Sequence, residues 1–404
     1  MRDTLSMLVT VGVGLYVLFL LLPILLGVVQ WFRLLFVKDP AGEPMKAEPR
    51  TGDLADVLEP VRRKFKVPAL AAALVRDGNL AAVGAVGVRK VGSPERVTPD
   101  DRFHLGSCGK AMTATVCARL VEQGKLRWNS TVAEVFPDLA EKIDADFRPA
   151  TLEHLLTHRA GISEGVAFNT TTWPKIWELT GPLDEQRRQV IELVLRDKPA
   201  APLGTAYEYS NCGYAIAGAM CERVAGRPWE ELMRELLFDP LGMATAGFGP
   251  PGTMGTVDQP WGHRFGFFTG KWTPMPPEPK SDNPAAIGPA GRIHCTLADW
   301  AAFAALHLRA YGGDPLIRAD TVRLLHSPTL GGDYAFGWTV QERDWAGGKV
   351  LTHTGSNTMW YAVVWLAPAR NFAVLAATNL GTQAAFSACD AAVSKLIEIA
   401  GKDS

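Results

Sequence analysis

His104-Leu-Gly-Ser-Cys-Gly-Lys-Ala-Met-Thr-Ala-Thr-Val-Cys-Ala-Arg-Leu-Val-Glu-Gln-Gly-Lys-Leu126 is the stretch that decides how this chain is read. Ala111, Met112, Val116, Ala118, Leu120 and Val121 crowd the helix it predicts, so that helix is expected to be largely buried. Gly124 stands where a terminating C′ glycine belongs. Ser107 and Lys110 fall near the helix start, three residues apart, a spacing that stacks them on one face. A serine hydroxyl at a helix N-terminus beside an amine is a candidate nucleophile, because the cation and the helix dipole both favour the developing alkoxide. Two common residues three apart also occur by chance. Ser-x-x-Lys alone therefore fits an ordinary capped helix with a solvated lysine as well.

Outward from that helix, the 404-residue chain has net charge −1, is 47% hydrophobic and is 21% charged. This is a globular composition with length for one large or two ordinary domains. A net charge near zero gives no support for a nucleic-acid partner. Residues 4–32 contain no charged side chain, which is long enough to span a bilayer with some tilt. The apolar run exceeds a usual signal-peptide core and no small-x-small site follows, so an uncleaved single-pass anchor is expected. Arg2 lies before the span, and Arg33, Lys38, Lys46 and Arg50 lie after it. That count places the C-terminal side in the cytoplasm. The expected division is an anchor at 1–36, a linker at 37–51 and a catalytic unit at 52–404, with a helical subdomain at 107–240 inserted in its α/β part.

Residues 54–65 have helical spacing, and residues 69–75, Asp77-Gly78 and residues 80–88 read as a β-hairpin. Helices are expected over 152–156, 176–195, 214–224, 229–237 and 298–308, the last capped by Thr296. Residues 249–289 are proline-rich and read as a loop. Strand patterns return at 335–341, 350–352, 360–366 and 373–378, before a closing helix at 384–399. Strands at both ends with helices between predict one sheet built from both termini.

Several local patterns invite chemistry and fail on context. Gly161-Ile-Ser163-Glu-Gly165 matches a nucleophile elbow, but a helical run precedes it where a strand is required. His154 and His158 have zinc-ligand spacing, yet position 155 is leucine where the motif needs glutamate. The six cysteines show no paired spacing; Cys117 and Cys221 read as core residues, and nothing places a base on Cys108. Tyr209-Ser-Asn211 before a helix could supply a general base and an amide. His353-Thr-Gly355-Ser356 beside a strand could bring backbone N–H groups to an oxyanion.

Taken in order, Ser-x-x-Lys, Tyr-x-Asn and His-Thr-Gly resemble the signature of the serine β-lactamase and penicillin-binding-protein superfamily. The Tyr-x-Asn form is similar to class C β-lactamases, family VIII carboxylesterases and D-specific peptidases. The resemblance covers residues 52–400 and continues in Thr151-Leu-Glu-His-Leu-Leu-Thr-His-Arg-Ala-Gly161, Pro240-Leu-Gly-Met243, Pro289-Ala-Gly291 and His353-Thr-Gly-Ser-Asn-Thr-Met-Trp-Tyr361. It implies an α/β (α+β) fold, an antiparallel sheet flanked by helices beside an all-helical domain. Ser107 would be the acylated nucleophile, Lys110 its proton-transfer partner and Tyr209 the general base. Asn211, His353, Thr354 and Gly355 would contact substrate, and the N–H groups of Ser107 and Ser356 would form the oxyanion hole. The resemblance calls for no cofactor or metal, and it favours an extracytoplasmic, periplasmic catalytic unit, opposite to the charge count. Oligomeric state stays open.

One position departs from the class C pattern. His353 stands where those enzymes carry lysine, so a permanent cation for a β-lactam carboxylate is missing, and Tyr209 has one cation fewer beside it. Hydrolysis of a small ester or amide is therefore expected first, and of β-lactams or muropeptides second. A non-catalytic scaffold on the same fold is the reading from another class, and the filled motifs weigh against it.

Overall fold

The computed structural model describes residues 39–41, 52–163, 172–266 and 270–402. The expected anchor and most of the expected linker lie outside the described residues. Among the described residues no helix is long and apolar enough to cross a membrane.

Six antiparallel strands form the main sheet: β1 (Ala69–Arg76), β2 (Asn79–Gly87), β8 (Thr339–Arg343), β9 (Gly348–Ser356), β10 (Tyr361–Ala367) and β11 (Phe372–Thr378). Their order across it is β2-β1-β11-β10-β9-β8. The two ends of the chain meet where β1 pairs with β11, from Ala71 opposite Ala377 to Arg76 opposite Phe372. The hairpin turn has Asp77 and Gly78 both at positive φ, the I′ geometry that Asp-Gly favours.

Strand alternation divides the molecule. Ala69, Ala71 and Ala73 of β1 face one core, with Ala373, Leu375 and Ala377 of β11. Leu70, Ala72 and Leu74 face the other, with Phe372, Val374 and Ala376. The second core is closed by the helices Ala55–Phe65 and Gln383–Lys402. The first is far larger. It holds the helix Leu297–Arg309 and runs on without a break into the helical region.

In that region the Ser107 segment enters through β3 (Phe103–His104), which belongs to a separate three-stranded sheet with β7 (Ile293–Cys295) and β4 (Gly247–Phe248). The helix Gly109–Glu122 follows, buried continuously from Gly109 to Ala118. It ends in a Schellman arrangement, with Gly124 N–H donating to Val121 O and Lys125 N–H to Leu120 O. The helix Asn211–Ala225 starts at Ser210, whose Oγ accepts from Gly213 N–H.

Three segments differ from their sequence patterns. The expected helix at 176–195 is broken, because Thr172–Glu178 and Leu183–Leu195 are separated by Gly181 at φ 95° and Pro182. The expected strand at 335–341 begins only at Thr339; Gly337, at φ 85°, turns the chain onto the backbone of Lys110 and Ala111. The proline-rich stretch at 249–289 contains a hairpin, β5 (Gly262–Gly266) with β6 (Lys271–Met275), which the prolines concealed.

Candidate active site

The helix Gly109–Glu122, the start of the helix Asn211–Ala225 and the end of β9 converge on Ser107. Lys110 Nζ donates to Ser107 Oγ at 3.0 Å, and Tyr209 Oη lies 2.7 Å from the same oxygen. The lysine is wholly buried, and its ammonium is further held by Asn211 Oδ1 and Ala290 O, each at 2.7 Å. It also sits 4.7 Å from the centre of the Tyr209 ring. Three acceptors meet the three N–H bonds of the amine and offset part of the cost of burying it. The Pro289-Ala-Gly291 resemblance thus has a local meaning: Ala290 O orients the amine, and Pro289 O accepts from Thr113 Oγ1 at 2.7 Å one turn along the helix.

On the opposite side β9 passes the serine at backbone distance. A Cβ on Gly355 would lie 2.0 Å from Leu105 O and 2.6 Å from Ser107 N. A Cβ on Gly106, at φ 52°, would lie 2.4 Å from Ser356 N. Only glycine allows both approaches. They bring the Ser107 and Ser356 amides to one place, as an oxyanion hole requires. β8 pairs with β9 only as far as Thr339 opposite Thr352. From His353 to Ser356 that edge of β9 is open beside Ser107.

His353 is buried, with Nδ1 2.6 Å from Thr354 O and Nε2 3.0 Å from Tyr334 Oη. A single tautomer satisfies both: Nδ1–H donates to the carbonyl and Nε2 accepts from the phenol. Burial, reinforced by the Lys110 charge, lowers its pKa to about 3, so the imidazole is neutral. Thr354 is exposed, and alternation along β9 places it on the face opposite His353 and Gly355. Asn211, expected to contact substrate, holds the lysine through Oδ1.

The structure adds Tyr334, which sequence patterns did not single out, and gives His158 a place at the site. Tyr334 reaches His353 from the turn before β8. His158 lies with its ring 4.4 Å from Tyr209 and 4.7 Å from Tyr334, and its Nδ1 accepts from Ser210 N–H at 3.0 Å. Burial drives its pKa well below the ordinary histidine range, so it is a neutral support under the tyrosine. His154 caps its own helix through Thr151. No group of three or more His, Cys, Asp or Glu among the described residues is placed to hold a metal. Cys108 is buried, with its thiol on His353 O and pushed up in pKa by desolvation. Ser163 follows a helix, and Glu164 and Gly165 lie outside the described residues.

Comparison with known proteins gives the family. The family described as Beta-lactamase matches residues 54–396. "Penicillin-binding protein 4" of Amycolatopsis lactamdurans is 28% identical over 350 residues, covering 81% of this chain and 84% of that protein. "Lovastatin esterase" of Penicillium rubens is 31% identical over 165 residues, covering 37% of this chain and 40% of that protein. The octameric penicillin-binding protein homologue from Pyrococcus abyssi shares the fold, with a TM-score of 0.68 at 22% identity over 85% of this chain and 76% of that one.

Proposed function

Because the chain belongs to the beta-lactamase family and is a serine hydrolase, we propose that it cleaves a small, uncharged ester or amide through an acyl intermediate on Ser107. One observation carries the proposal. Ser107 Oγ has Tyr209 Oη at 2.7 Å and Lys110 Nζ at 3.0 Å, with two backbone amides gathered beside it.

In the first step Tyr209 acts as the phenolate: its oxygen takes the Ser107 proton and becomes a neutral phenol as Ser107 Oγ attacks the carbonyl carbon. Lys110 stays charged on Asn211 Oδ1 and Ala290 O and stabilises the negative oxygen beside it. The carbonyl oxygen gains charge as the bond forms and turns toward the Ser107 and Ser356 N–H groups. The tyrosine proton then goes to the leaving group. Water entering the vacated place loses a proton to the same tyrosine, again a phenolate, and attacks the acyl carbon; the acyl bond to Ser107 then breaks and Ser107 Oγ takes the proton back from the phenol.

The uncharged substrate follows from His353. A neutral imidazole bonded to Tyr334 offers no ammonium to a carboxylate. The name of the Penicillium relative supports ester cleavage, and that of the Amycolatopsis relative supports β-lactam chemistry as the second reading. Comparative kcat/KM on p-nitrophenyl esters, D-amino acid amides and nitrocefin decides between them. Ester turnover well above nitrocefin turnover is expected; the reverse order removes the substrate proposal. Anchoring by residues 4–32, with the catalytic unit outside the cytoplasm, is proposed on the apolar run and the family resemblance. C-terminal topology reporters test it.

A further inference from the structure

We propose that the buried cluster His104–Asp282–Asn357 is the positioning device of the oxyanion hole, locking the segment that carries the Ser107 amide to the turn after Ser356. This inference rests on the acyl-enzyme reading above and concerns residues that do not touch substrate.

The chain of contacts is continuous. Gly106 N–H donates to His104 Nδ1 at 3.1 Å. His104 Nε2 lies 2.9 Å from Asp282 Oδ2. Asp282 Oδ1 accepts from Asn357 Nδ2 at 2.9 Å. Asn357 Oδ1 in turn accepts from the backbone N–H groups of Met359 and Trp360, each at 3.2 Å. Gly106 immediately precedes the nucleophile, and Asn357 immediately follows Ser356. His104, Asp282 and Asn357 are all buried. Arg292 Nε, at 3.2 Å from Asp282 Oδ2, and Asn283 N–H, at 2.8 Å from Oδ1, complete the carboxylate's partners.

Proton directions leave one arrangement. The Gly106 N–H makes Nδ1 an acceptor, so Nε2 must carry the proton and donate to Asp282. Asn357 is oriented by the two N–H groups that its oxygen accepts, so its NH2 must face the carboxylate. Asp282 therefore receives donors on both oxygens, two on each. Burial alone would raise its pKa, but His104, Arg292 and Asn357 outweigh that and hold it at about 2, so it stays ionised through the working range. A buried carboxylate with four donors is costly to disturb and geometrically stiff. The two close glycine contacts bring β9 to the serine, and this cluster keeps both amides in register.

Asp282→Asn is the discriminating variant. Its size matches, but whichever face its NH2 takes, that face already holds two N–H donors. Asn357→Ala severs only the strand side and serves if the first variant fails to fold. The enzyme would be acylated with a hindered p-nitrophenyl ester labelled with 13C at the carbonyl. The acyl C=O stretch, kcat, KM and the melting temperature would then be measured. The expected result is a carbonyl band shifted to higher frequency than wild type, with kcat lower by roughly tenfold and KM within about twofold. A lower melting temperature or lower kcat with an unshifted band in the folded variants assigns the cluster a purely structural role and overturns the proposal. Absence of any Ser107 adduct in wild type instead overturns the acyl-enzyme reading, and this inference with it.

Discussion

The two walls beside Ser107 are built by different means. The helical wall presents side chains: Lys110, Tyr209 and Asn211 are anchored by buried helix starts and by a carbonyl from 290. The strand wall presents backbone: its amides reach the serine because Gly106 and Gly355 have no Cβ to keep the two segments apart. In the proposed mechanism proton transfer, which needs groups that gain and lose a proton, falls to side chains, and oxyanion stabilisation, which needs fixed dipoles, falls to peptide groups that cost no rotamer entropy to hold. Substitutions should thus damage the walls differently, by removing an atom on one side and by adding one on the other.

The largest loss is expected on the helical wall. Tyr209→Phe deletes one oxygen and should lower kcat/KM for a p-nitrophenyl ester by about 10²–10⁴-fold with the fold intact. Retention of near-normal turnover would move the base elsewhere. On the strand wall, Gly355→Ala adds one carbon that would sit 2.0 Å from Leu105 O. Backbone must move, and a fall of roughly 10²-fold in kcat is expected. Circular dichroism and the melting temperature would show whether the sheet persists; unaltered kcat would mean that the strand does not supply the oxyanion amide.

Much of this arrangement is legible in the amino-acid sequence. The β1 and β11 patterns of small and branched residues point to one sheet from both termini, because a strand buried on both faces leaves an unbroken apolar run. Ser107, Lys110, Tyr209, Asn211 and the His353–Ser356 strand end stand out as motifs. Tyr334 does not, since it stands in a turn whose glycines conceal how close it comes to His353. His104 and Asp282 are 178 positions apart, and Asp282 lies in an irregular proline-rich stretch where no periodicity separates a buried carboxylate from a solvated one. The break at Gly181-Pro182 is visible in the sequence. Helical spacing on both sides masks it.

A smaller effect distinguishes the walls by charge. His353→Lys should raise the ratio of nitrocefin to ester turnover several-fold, because an ammonium at the strand end can meet a carboxylate. Lys110 nearby limits the gain by repulsion. An unchanged ratio would separate substrate choice from position 353. The smallest expected effect is on the pH profile. With its pKa lowered to about 3 by burial and by Lys110, His353 should give no inflection in kcat/KM between pH 5 and 8. Its titration belongs to stability. The unfolded chain binds the proton near pH 6.5 and the folded chain near 3, so the stabilising contribution is complete above about 6.5 and is lost as pH falls toward 3. The slope is about 1.4 kcal/mol per pH unit. Denaturant titrations of wild type and His353→Gln from pH 4 to 8 measure it.

The division of labour between the walls requires that both face one acylated oxygen. Trapping the protein with a slowly released ester or a fluorophosphonate, then mapping the adduct by intact mass and peptide analysis, tests this most directly. The account predicts a single adduct on Ser107, absent in Ser107→Ala and unaffected in Ser163→Ala. An adduct on Ser163 or Cys108, or labelling that survives Ser107→Ala, would contradict it.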